Sequence, residues 1–223
     1  SEEELCRQNL GVIFESIHLP RITLETFIAG GYIYSSIPVC YALIDTEAMN
    51  QAGITPIQNH PTLQLMGQEI MIGFVDTGID YTNSVFRNID GSTRIEAIWD
   101  QTIQTGTPPP GFIYGSEYTR EMIDAALQSE NPLEAVPSQD ENGHGTSAAS
   151  IAAGGANVEN QFIGAAPEAS IAVVKLKGAK QYLRDYYLIN PDTPCYKETD
   201  IMAGVRYLHE MAERLNRPLV VCL

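Results

Sequence analysis

The run Ile70-Met-Ile-Gly-Phe-Val75 constrains this chain more than any other segment. It is almost continuously apolar, so neither face of a strand formed there is left for water, and other elements must cover both. Ser170-Ile-Ala-Val-Val-Lys-Leu176 reads the same way, and Leu219-Val-Val-Cys-Leu223 reads as a third such strand. Helical patterns lie between them. Ile201, Val205, Leu208, Ala212 and Leu215 recur at helical spacing, with Thr199 or Asp200 as the expected N-cap. The small residues of 143–153 predict a tightly packed helix closed by Gly154-Gly155, and 118–127 a short amphipathic one. Strands alternating with helices predict an α/β fold, a parallel sheet with flanking helices that takes ligands at the carboxyl ends of its strands.

The first 50 residues have a different texture. Short strands are expected at 10–14 and 32–34, a turn at Gly30-Gly31, and a helical turn over 46–51 capped by Asp45. Asn59-His-Pro61 marks a loop, and residues 102–115, rich in Pro, Thr and Gly, read as a surface loop. The boundaries adopted are 1–50 for a small α+β unit and 51–223 for the α/β unit.

Composition narrows the function. With 44% hydrophobic and 18% charged residues, the chain has the balance of a folded globular protein. Its 28 acidic residues against 13 basic ones leave a formal charge of −15, which argues against nucleic-acid and anionic-membrane partners and favours solubility. The four cysteines (Cys6, Cys40, Cys195, Cys222) are scattered, without a CxxC pair or a Cys/His cluster, so no zinc site is expected. No stretch approaches the ~20 apolar residues of a membrane span, and no secretion signal is visible at the start. The chain opens on Ser1 and stops within an expected strand, so it is read as part of a longer protein.

Two motifs carry chemistry. Asp76 follows the first buried strand in Val75-Asp-Thr-Gly78, where the sheet holds the carboxylate rigidly and Gly78 lets the backbone turn. His144 opens the small-residue helix between two glycines that allow close approach to its ring. Taken singly, each has an ordinary reading, a turn aspartate and a locally packed histidine. Together they fit a more specific chemistry. An Asp that accepts the Nδ1–H of a His fixes its tautomer, so Nε2 can take a proton from a nucleophile.

The order Asp, His and then a later Ser resembles the subtilase (S8) family of subtilisin-like serine proteases. The resemblance rests on Asp76-Thr-Gly78, His144-Gly-Thr146, Gly164-Ala-Ala-Pro-Glu-Ala169 and Ile171-Ala-Val-Val174, in matching order over about residues 65–223. A narrower similarity, to the Csp-type subtilases that process germination proteins in spore-forming anaerobes, rests on Ile98-Trp-Asp-Gln-Thr102, Tyr118-Thr-Arg120 and Lys180-Gln-Tyr-Leu-Arg184. The resemblance implies a serine endopeptidase acting on protein or peptide substrates without a cofactor. Asp76 would orient His144, His144 would be the general base, and residues 1–50 would be the remainder of the protein's own prodomain. It also implies that the nucleophilic Ser and the oxyanion-hole Asn follow Leu223. Calcium is common in the family, but no local ligand cluster is visible here.

Ser147, in Gly145-Thr-Ser-Ala-Ala149, mimics the family's nucleophile motif, yet it lies on the same helix as His144 and is assigned to helix packing. His18, His60 and His209 are read as structural or solvated, and Asp80 as serving turn geometry. The segment around Arg184, Asp185 and Tyr186-Tyr187 is read as edging the substrate cleft or packing on the prodomain. An aspartic-protease reading of Asp76-Thr-Gly78 fails because that chemistry needs two facing carboxylates and one such motif is present. A non-catalytic relative acting as a binding or sensor module is the remaining alternative.

Overall fold

The computed structural model describes residues 6–9, 15–18, 46–157, 162–190 and 192–223. The chain divides into two compact units, Ser1–Ala42 and Leu43–Leu223. In the first, β1 (Cys6–Asn9) pairs antiparallel with β2 (Glu15–His18). The strands expected at 10–14 and 32–34, the Gly30-Gly31 turn and the Asp45 cap lie outside the described residues.

The second unit opens with α1 (Thr46–Gln51) and α2 (Ile54–Gln58). It continues through β3 (Met71–Asp76), β4 (Ile95–Asp100), β5 (Ser116–Thr119), α3 (Arg120–Leu127), α4 (Pro132–Ala135) and α5 (His144–Ala153). β6 (Ser170–Lys175), α6 (Gln181–Tyr186), α7 (Glu198–Leu215) and β7 (Leu219–Cys222) complete it. Five strands form one sheet in the order β5-β4-β6-β3-β7. β4, β6, β3 and β7 run parallel, and β5 is antiparallel at one edge. This is the mixed α/β architecture with a mostly parallel sheet that the strand–helix alternation predicts.

Strand side chains alternate between the two faces, and helices cover both. On one face Ile72, Phe74, Ile98, Ile171 and Val173 pack with Ile123 and Ala126 of α3 and with Ala149 and Ala153 of α5. On the other, Met71, Val75, Trp99, Ala172 and Val174 meet Tyr207, Leu208, Met211 and Ala212 of α7. The continuous apolar runs follow from this: every residue of β6 is buried, as are the first five of β3.

Three local expectations need correction. β4 and β5 are absent from the sequence reading, because Glu96, Ser116 and Glu117 break any apolar run there. The helix expected over 118–127 begins only at Arg120, since Tyr118 and Thr119 pair with Ile98 and Ala97. Neither Thr199 nor Asp200 is the N-cap of α7. Lys197 holds that position without a side-chain bond, while the buried Asp200 accepts from Lys177 Nζ at 2.8 Å and Tyr114 Oη at 3.1 Å.

The loop 102–115 is tied to the α7 face. Trp99 is fully buried, its ring centroid lies 4.5 Å from that of Phe112 and 5.3 Å from that of Tyr207, and its Nε1 donates to Tyr114 O at 3.1 Å. Trp99→Ala leaves a cavity that the surrounding rings cannot all close. We expect a loss of about 3–5 kcal/mol in unfolding free energy, read from denaturant midpoints.

Candidate active site

Three adjacent parallel strands end at one level. In the sheet register Asp100 of β4 lies beside Lys175 of β6, and Lys175 beside Asp76 of β3. Asp100 is fully buried and already supplied with donors, from Thr102 N at 2.7 Å and Ser138 Oγ at 2.7 Å. Lys175, also buried, turns its Nζ to Gln139 O at 2.6 Å and Glu141 Oε2 at 2.7 Å, with Asp100 Oδ2 4.0 Å away. Its hydrogen bond holds the Glu141 carboxyl below the usual range. Asp76 therefore keeps its carboxylate for a different partner.

That partner is His144. Its Nδ1 lies 2.8 Å from Asp76 Oδ1 and 2.9 Å from Oδ2, while Thr77 N donates to Oδ1 at 2.6 Å. The Asp76 side chain is 9% exposed and the His144 ring 69% exposed. A rigid, nearly buried acceptor thus grips one nitrogen of an open ring. No bond to Nε2 occurs among the described residues, so that nitrogen is left for an incoming group. The Asp76 hydrogen bond, and then its charge, hold the His144 pKa above the ordinary histidine value.

The two glycines beside His144 do different jobs. Gly143, the N-cap of α5, has φ +84°, a conformation that strains any residue with a Cβ. At Gly145 a Cβ would lie 3.1 Å from Gly78 N and 3.2 Å from Asp76 Cβ, and closer still to Gly78 O. The absent side chain lets the first turn of α5 rest directly on the Asp76–Gly78 loop.

Four nearby residues escape the sequence reading: Thr77, Asp140, Lys175 and Tyr196. Asp140 Oδ1 accepts from Thr77 Oγ1 at 2.8 Å and Gly143 N at 2.9 Å, and Oδ2 from Thr146 N at 2.8 Å and Thr146 Oγ1 at 2.6 Å. Asp140 lies ahead of the N-cap, Gly143, outside the position where an acidic residue signals a helix start, so it carried no capping cue. Burial raises the Tyr196 pKa, and the charges of Asp76 and Asp140 raise it further, which puts Tyr196 within electrostatic reach of the pair. No local pattern marks it. Thr77, Glu141, Asn142, Lys175, Arg184 and Tyr196 line a cavity of about 220 Å³ next to the site. Arg184 thus stands at this cavity's wall, whereas Tyr186 and Tyr187 are exposed.

The remaining candidates are spread elsewhere. Ser147 is exposed rather than packed, and its Oγ donates to Gly143 O at 2.8 Å, so only its place on the helix backbone agrees with expectation. Gly145, Ala149 and Ala153 form the buried stripe instead. Asp80 Oδ1 accepts from Thr82 N at 3.0 Å and Thr82 Oγ1 at 2.6 Å, a local turn. His60 accepts from Thr62 N, and His209 sits 3.5 Å from Glu213 one helical turn on. The side chain of His18 lies outside the described residues. Among the described residues no group of three or more His, Cys, Asp or Glu is arranged to hold a metal ion, and no helix is long and apolar enough to cross a membrane.

Comparison with known proteins bears on the family and the fold. The sequence model of the subtilase family (Peptidase S8) matches residues 67–190. Among solved structures, the chain is similar to the CspB protease of Clostridium perfringens, with 34% sequence identity and a TM-score of 0.63. The match covers 78% of this chain and 32% of that one, so the chain spans about a third of that protease. No curated protein matches the sequence.

Gly145→Ala tests the close approach. A methyl group there must push α5 off the loop, and a loss of about 1–3 kcal/mol is expected from denaturant unfolding. Ser147→Ala, on the exposed side of the same helix, should stay within about 0.5 kcal/mol of the parent.

Proposed function

The chain belongs to the subtilase family, and from that premise we propose that the protein containing it is a serine endopeptidase whose Asp76 orients His144 as general base. The observation that carries this reading is the bond from His144 Nδ1 to a nearly buried carboxylate, with Nε2 left open.

A neutral imidazole with its proton on Nδ1 presents a lone pair at Nε2. That lone pair takes the proton of a serine hydroxyl as the oxygen attacks the peptide carbonyl, and the imidazolium then returns it to the leaving amine. Asp76 stays ionised throughout and stabilises the imidazolium as it forms. The nucleophile and the oxyanion-hole donor come from sequence outside these 223 residues. Ser147 does not serve: its hydroxyl is committed to Gly143 O on the same helix as the base. The substrate is a protein or peptide, lying along the carboxyl edge of the sheet beside the Thr77–Tyr196 cavity. Residues 1–50 are the remainder of the protein's own prodomain. The similarity to the CspB protease of Clostridium perfringens supports the same reading.

In the full-length protein, His144→Ala should remove peptide hydrolysis, with a loss on the order of 10⁶-fold in kcat, as for removal of one member of such a triad. The base must be unprotonated, and its pKa is raised. The acid limb of kcat/KM should therefore fall at a midpoint above about 6.5, the ordinary histidine value. Peptide hydrolysis that survives His144→Ala, or a fluorophosphonate label found on Ser147, would overturn the assignment.

A further inference from the structure

We propose that Asp140 is a positioning residue for the Asp76–His144 pair, acting through the Thr77 hydroxyl and the first turn of α5. The inference rests on the catalytic reading of that pair and adds what holds it together.

A closed ring of contacts runs through the site. Asp76 Oδ1 accepts from Thr77 N, Thr77 Oγ1 accepts from Gly145 N at 3.0 Å, and Gly145 follows His144, whose Nδ1 returns to Asp76. The Thr77 hydroxyl can take the Gly145 amide with a lone pair only if its own proton points elsewhere. Asp140 Oδ1 takes that proton at 2.8 Å. The carboxylate thereby fixes the rotation of the one hydroxyl that joins the Asp76 loop to the His144 helix.

The same carboxylate caps that helix. The leading amides of a helix have no intrahelical acceptor, and the N-cap, Gly143, has no side chain to offer. Three side chains from outside the helix substitute. Asn142 Oδ1 accepts from His144 N at 3.3 Å, Thr77 Oγ1 from Gly145 N, and Asp140 Oδ2 from Thr146 N. Thr146 Oγ1, which donates to Asp140, in turn accepts from Asp80 N at 2.9 Å. A negative charge at this position also complements the helix dipole. Burial alone would raise the Asp140 pKa, yet the bonds from Thr146, Thr77 and Gly143 hold it below the usual carboxylate range. Lys175 grips the residues on either side, through Gln139 O and Glu141 Oε2, so the backbone that presents Asp140 is itself anchored to the end of β6.

The test uses the full-length protein with Asp140→Asn, Thr77→Val and Thr77→Ser. Asn keeps the shape but turns one acceptor into a donor facing other donors. Val removes the hydroxyl, and Ser restores it. Three quantities are read: thermal stability, the titration midpoint of the His144 ring by NMR, and kcat and KM for a peptide substrate. The Asp140 charge also raises the His144 pKa directly, so Asp140→Asn lowers the midpoint in any case. Thr77→Val, which keeps that charge, should move it down as well, and in both variants kcat should fall on the order of 10²-fold with KM less affected. Thr77→Ser should recover both. If folded Thr77→Val melts earlier but its His144 titrates as in the parent, Asp140 is only structural and the inference is wrong. Should Asp140→Asn not fold, the Thr77 pair decides alone. The ring titration needs no turnover, so it is separable from the catalytic reading, which fails on its own if His144→Ala stays active.

Discussion

Parallel pairing of β6 with β3 on one side and β4 on the other brings Asp100, Lys175 and Asp76 to the same level of the sheet, and the rest of the site is arranged around that alignment. Neighbouring charges of alternating sign at a buried edge must each find partners. Asp100 takes donors from Thr102 and Ser138, and Lys175 reaches the loop at 139–141. The carboxylate of Asp76 is left to the helix that lands above it. A shift in register of one residue on β3 would send Asp76 to the opposite face of the sheet.

Magnitudes indicate what holds His144 in place. Its ring is largely exposed and, among the described residues, is held by one side chain, Asp76. Hydrogen bonds to a charged group are worth about 1.5–3 kcal/mol, and Asp140 receives four of them. Stability resides in the half-buried latch, and the proton chemistry proposed for the site in the open pair beside it.

Much of this was legible in the sequence, for identifiable reasons. β3 and β6 are buried on both faces, so their apolar runs are unbroken and their ends are marked by Asp76 and Lys175. The helix of His144 shows in its small residues, because close packing on the sheet demands them. β4 was illegible because Glu96 interrupts it, and that charge is answered by Arg120 and Arg217, distant in sequence. Asp200 looked like a cap, but Lys177 and Tyr114, brought in by the fold, claim it. The contacts of Thr77, Lys175 and Tyr196 are likewise long-range, which local pattern does not encode.

The proposed base role requires Asp76 to hold His144 as the Nδ1–H tautomer with Nε2 bare. ¹⁵N NMR of the labelled His144 ring, at a pH above its titration, measures this directly. That role predicts a protonated Nδ1 whose proton is shared with Asp76 and an Nε2 with the shift of an unprotonated nitrogen. A ring with its proton on Nε2, or one exchanging freely between the two tautomers, would contradict it.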